Sequence, residues 1–109
     1  MHFYEYTKEV GITAVYPNRS NNVVYPTLGL TGEAGEVAEK VKKIIRDKDG
    51  IMDYEDRKSI AYELGDVLWY LSAIAHEIDF SLDTIAVMNI TKLKDRQTRD
   101  KLHGSGDER

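Results

Sequence analysis

An all-α domain follows from three features of the sequence. Apolar residues recur every three or four positions in four separate stretches, and turn formers and capping residues divide those stretches. No stretch alternates apolar and polar residues with the period of two that a half-buried strand requires. At 109 residues the chain makes one domain, able to bury roughly two-thirds of its unfolded surface. We expect that domain over residues 1–103, with 104–109, rich in glycine and charge, as a flexible tail.

The first helix is expected over residues 2–14, where Phe3, Tyr6, Val10 and Ala14 fall at helical intervals. From Tyr16-Pro17-Asn18 to Tyr25-Pro26 the turn formers predict a loop. A second helix should run from Thr27 to Asp47, its apolar stripe formed by Leu30, Ala34, Val37, Val41, Ile44 and Ile45. Lys40, Lys42, Lys43 and Arg46 load its C-terminal half in the sense the helix dipole favours. Asp53 caps a third helix reaching Ile78, which becomes apolar on nearly every side from Val67 onward. Such a helix needs neighbours on several sides, more than four helices of one chain supply, so a self-associating bundle is expected. Ser81 caps a fourth helix with Leu82, Ile85, Ala86, Asn89, Ile90 and Leu93 on its inner face.

Composition removes several function classes. A formal charge of −4 argues against a nucleic-acid-binding surface. Without cysteine there are no disulfides and no thiolate metal sites. The start, Met1-His2-Phe3-Tyr4-Glu5, lacks the basic and apolar regions of a signal peptide. The longest apolar run, Val67 to Ala75, is far too short to span a bilayer. A soluble, cytoplasmic protein that binds neither membrane nor nucleic acid is expected.

Chemistry is concentrated in two related segments, Glu33-Ala34-Gly35-Glu36-Val37 and Glu63-Leu64-Gly65-Asp66-Val67. In each, two acids three residues apart share one helix face. Packed together, the two helices would gather four carboxylates, a costly arrangement unless a cation or bound protons neutralise it. Oxygen-only ligands suit Mg²⁺, with Mn²⁺ as a substitute. Gly35 and Gly65 each cost about 1 kcal/mol against Ala within a helix, and close approach of two backbones at a crossing is the direct reason to retain them. The plain alternative for all four acids is solvated helix surface.

Those two motifs, in this order and separated by residues 37–62, resemble the double acidic motif of MazG-type nucleoside triphosphate pyrophosphohydrolases. Gly29-Leu30-Thr31-Gly32 before the first and Leu68-Trp69-Tyr70-Leu71 after the second are similar to that family's motif helices. Asn89-Ile90-x-Lys92-Leu93-x-x-Arg96 resembles its following helix, so the likeness spans residues 25–96. It implies an all-α, four-helix MazG-like bundle completed by homo-oligomerisation, as a homodimer or dimer of dimers. It also implies Mg²⁺ at Glu33, Glu36, Glu63 and Asp66, and hydrolysis of a nucleoside triphosphate to the monophosphate and pyrophosphate. One carboxylate, Glu33 or Glu36 first, would orient or deprotonate the attacking water. Asn89, Lys92 and Arg96 would lie near the nucleotide, the two cations against its phosphates.

Other residues divide between site and scaffold. Trp69 and Tyr70 have packing as their simpler role, with Trp69 stacking on a base as the functional one. Tyr16 and Tyr25, in the expected loop, are free to stack on a base. Glu39 and Lys40 read as surface, and His76 as structural, since no second His stands at metal-ligand spacing. A rival from a different class is a non-catalytic helical module that binds metal or a partner. A dUTP-, dCTP- or phosphoribosyl-ATP-specific pyrophosphohydrolase is the rival on the same scaffold. A di-iron bundle is disfavoured because neither motif carries a Glu-x-x-His pair.

Overall fold

Two long antiparallel helices carry the architecture, and two shorter ones lean on the second of them. A computed structural model describes residues 1–99 and Gly106; α1 spans Phe3–Thr13, α2 Val24–Lys48, α3 Tyr54–Glu77 and α4 Leu82–Thr98, with no strand among the described residues. The expected tail at 104–109, and with it the boundary at 103, lies outside the described residues except for Gly106.

Local chemistry sets the helix limits. Asp53 and Asp56 cap α3 reciprocally: the Asp56 N–H donates to Asp53 Oδ1 at 2.8 Å and the Asp53 N–H to Asp56 Oδ2 at 3.1 Å. Ser81 Oγ accepts from the Thr84 N–H at 3.1 Å to start α4, as expected. α2 corrects the loop reading, because it begins at Val24 rather than Thr27. Pro26 falls in the first turn, where its missing N–H has no helical partner to lose, and Asn22 Oδ1 accepts from the Tyr25 N–H at 3.1 Å. Asp49 and Gly50, both in left-handed backbone, end the helix.

The α2–α3 register can be read from its side-chain pairs. Lys48 reaches Asp56 at 2.8 Å, Lys40 reaches Glu63 at 3.0 Å, and Gly29 lies beneath the ring of Tyr70. Moving toward the N-terminus of α2 thus means moving toward the C-terminus of α3. The hairpin places Glu33 opposite the Glu63–Asp66 turn.

The core sits at the other end of α3. Val10, Ala14, Tyr16 and Ala73 are buried together, with Tyr6 and Trp69 against them. Trp69 Nε1 donates to Thr13 Oγ1 at 2.7 Å, tying α3 to α1. The loop between α1 and α2 is fastened to the end of α3 by Glu77, whose carboxylate accepts from the Tyr16 hydroxyl, the Ser20 N–H and the Asn22 N–H. Ser20 Oγ and His76 Nε2 share a hydrogen bond at 2.8 Å, giving His76 the structural role expected of it. Tyr16 is therefore no free aromatic: it is buried, stacks at 5.0 Å on Tyr25, and its hydroxyl pKa is pushed up to about 12 by burial and by Glu77. Tyr16→Phe removes a hydrogen bond to a charged acceptor and should cost about 1–2 kcal/mol in denaturant unfolding. An unchanged midpoint would mean that Glu77 does not hold this loop.

Two expectations about packing are corrected. A Cβ on Gly35 or Gly65 would meet no atom within 4 Å, so neither glycine serves a helix crossing inside one chain. On α4, Leu82 is buried and Leu93 half-buried, but Ile85, Ala86, Asn89 and Ile90, expected on an inner face, are exposed. The reason is geometric: α4 leans on α1 and on α3, and touches α2 nowhere.

Candidate metal centre

Three acids meet where the α2–α3 hairpin brings them opposite one another. Glu33 from α2 and Glu63 and Asp66 from α3 each present a carboxylate oxygen, and these oxygens all lie within 4.8 Å of one another. Glu63 and Asp66 share a face because they stand three residues apart on one helix. Glu33 and Glu63 are half-buried, and Asp66 is exposed. Glu36 stays outside this group and is exposed, although its charge is felt at Glu33.

The grouping is electrostatically unfavourable as it stands. Burial raises the Glu33 pKa above the ordinary carboxylate value, and the charges of Asp66, Glu63 and Glu36 raise it further, with Glu63 placed to share its proton. A small hard cation removes this penalty, and three carboxylate oxygens from two rigid helices are the donor set that Mg²⁺ or Mn²⁺ takes. The residues fit such an ion.

Aromatic residues wall the acids. Glu33, Asp66, Trp69 and Tyr70 line an open pocket of about 290 Å³. Trp69 and Tyr70 meet edge to face, their centroids 4.9 Å apart. The indole of Trp69, anchored to Thr13, is thus both packing element and pocket wall. The Tyr70 phenol is held above its ordinary pKa by burial first, then by Tyr25, Glu33 and Asp66. The Tyr6 phenol of α1 is likewise held above its ordinary pKa, by burial first and then by the charge of Asp66.

Expectation and structure part company at one place. Lys40, read as surface, is an ion-pair partner of the site, its ammonium 3.0 Å from Glu63 Oε1. Only the pairing of Lys40 with a helix yet to be placed could have revealed this, and sequence spacing within α2 does not carry it. Asn89, Lys92 and Arg96 stand on α4, which packs on α1 and α3 but not on α2, the helix that carries Glu33. Asn89 and Lys92 border a groove of about 710 Å³ with Ile85, Met88 and Phe80. Arg96 is buried and donates to the Gly106 carbonyl at 3.3 Å.

Comparison with known proteins agrees with this geometry. The family model for the MazG nucleotide pyrophosphohydrolase domain matches residues 26–99, which contain both acidic motifs, the hairpin and α4. The chain is 44% identical to the "Gene 37 protein" of Mycobacterium phage L5 over the full length of both chains. No solved structure matches it.

Proposed function

The chain belongs to the MazG nucleotide pyrophosphohydrolase family, and on that premise we propose that it hydrolyses (deoxy)nucleoside triphosphates to the monophosphate and pyrophosphate. The family is divalent-metal dependent, and the observation that carries the reading is the meeting of Glu33, Glu63 and Asp66 beside an aromatic-walled pocket. Mg²⁺, held by these three with Glu36 one turn away, would neutralise the phosphate oxygens in the transition state.

The protein's own residues supply the rest. The paired acids fix the phosphates' position by fixing their counter-charge. One of the carboxylates, Glu33 or Glu36 first, would orient an attacking water or accept a proton from it. The α–β phosphoanhydride breaks, pyrophosphate leaves with the bond's electrons, and the water oxygen remains on the monophosphate. Trp69 and Tyr70 offer faces to the sugar or base. Deoxynucleoside triphosphates, standard or modified, are the substrates we favour, in the service of nucleotide-pool sanitation.

Assembly belongs to the same proposal. Ile85, Val87, Met88 and Ile90 leave α4 with an exposed apolar surface, and α4 does not pack on α2, which carries Glu33. A homodimer or dimer of dimers would cover that surface and could bring α4 of one chain to the hairpin of another.

The test is a screen of purified protein against standard and modified nucleoside triphosphates, with Mg²⁺ or with EDTA, separating pyrophosphate from orthophosphate. Pyrophosphate and monophosphate, formed only with metal, are expected, from a species that sediments as a dimer or tetramer. Orthophosphate with a diphosphate product would show that a different bond is cut. No turnover from a folded protein that binds Mg²⁺ would move the assignment to a metal-binding helical module.

A further inference from the structure

Of the three clustered carboxylates, one already has a cation. Lys40 Nζ lies 3.0 Å from Glu63 Oε1, with the lysine side chain 32% and the glutamate 16% exposed. The ammonium also donates to Ser59 Oγ and lies 3.5 Å from the Ser59 carbonyl oxygen. Ser59 stands one turn before Glu63 on α3, so a single residue of α2 is gripped at two successive turns of the facing helix. On its other side Lys40 borders a cavity of about 280 Å³ between α2 and α3, lined by Lys43, Ile44, Asp47, Lys48, Asp56 and Ser59. Lys40 therefore closes the metal centre at the end opposite Trp69 and Tyr70.

An ammonium at this position has a definite consequence. A divalent ion and Lys40 compete for the same Glu63 carboxylate, and two cations a few ångströms apart in a half-buried cleft repel each other. Resting on the metal-centre reading above, we propose that Lys40 is a tethered counter-ion of that centre. It is a positioning residue that keeps Glu63 within the cluster in the metal-free protein and lowers the affinity for the free ion. The carboxylates are then held in place without holding a metal tightly, which suits them to an ion that arrives already bound to a nucleotide's phosphates.

The sign of one measurement separates this role from plain scaffolding. A lysine that served only to brace the hairpin would, on removal, loosen Glu63 and weaken metal binding. A tethered counter-ion, on removal, does the reverse. Mn²⁺ titrations followed by electron paramagnetic resonance on the full chain, without nucleotide, are expected to show Lys40→Met binding Mn²⁺ about tenfold more tightly than the parent protein. Lys40→Arg, which keeps the charge, should stay near the parent value. Ser59→Ala keeps the charge but removes the hydroxyl that aims it, and should tighten binding by a smaller factor; it provides a second reading if Lys40→Met fails to fold. Unchanged or weaker Mn²⁺ binding in both Lys40→Met and Ser59→Ala would overturn the proposal. If neither the parent protein nor Lys40→Met binds Mn²⁺, or if Glu33→Gln binds it as well as the parent does, the metal centre itself is wrong and the proposal falls with it.

Discussion

Glu33→Gln is expected to lower metal-dependent turnover by about a hundred- to a thousandfold, the scale seen when one preorganised charge-stabilising group is removed. The same substitution should raise the melting temperature of the metal-free protein at neutral pH. Both effects have one cause. Among the described residues Glu33 faces Asp66, Glu63 and Glu36 with no ion-pair partner, and its folded pKa stands above the ordinary 4.5. A carboxyl whose pKa is raised by folding stabilises the fold below the unfolded value, and that contribution is lost as pH rises through the folded value. The metal-free parent protein should therefore lose stability as pH climbs from 4.5 through the raised value, and the glutamine variant should lose less. Added Mg²⁺ reverses the order. At a hundredfold excess over its dissociation constant, a ligand of the native state adds about 2.7 kcal/mol, and only the parent protein should receive it. Melts in EDTA and in Mg²⁺ between pH 5 and 8 read both effects. A variant less stable than the parent in EDTA would show that Glu33 is a structural carboxylate rather than one held in place for a cation.

The acidic motifs were legible in the sequence because they are local. Glu33 and Glu36, like Glu63 and Asp66, are set on their faces by helical pitch alone, and Asp53 and Ser81 announce their helices through capping chemistry that acts within three residues. What the sequence left hidden depends on partners distant along the chain. Glu77 fastens the loop through groups more than fifty residues away, and nothing around it distinguishes it from a solvated glutamate. Lys40 sits among Lys42 and Lys43 in a run that looks like helix surface, and only the register against α3 singles it out. The exposed inner face expected of α4 has the opposite origin. Its apolar pattern is genuine, but periodicity states that a face wants covering and not which chain covers it.

The three MazG-motif residues on α4 illustrate the same separation of pattern from place. Asn89, Lys92 and Arg96 follow one another at helical spacing, yet Arg96 is buried while Asn89 and Lys92 border the exposed groove. Within one chain the acids, Lys40, Trp69 and Tyr70 already form a connected unit.

Gly29→Ala should damage both the fold and the site, against the usual effect of the change. In a helix interior, Gly to Ala ordinarily gains up to about 1 kcal/mol. At Gly35 and Gly65, where an added methyl meets nothing within 4 Å, that gain is expected for the single chain. A loss there would show that a second chain packs on those glycines. At Gly29 the methyl would overlap the Tyr70 ring, and overpacking of this kind costs about 1–3 kcal/mol. The displaced ring is a wall of the pocket that holds Glu33 and Asp66, so KM for the nucleotide should rise with it. Tyr70→Ala removes the obstacle, which makes the pair suitable for a double-mutant cycle. The combined variant should be more stable than the two single losses predict, by more than about 1 kcal/mol, because the methyl then has room. Additive losses would mean that Gly29 and Tyr70 do not touch, and the hairpin register that assembles Glu33, Glu63 and Asp66 would have to be redrawn.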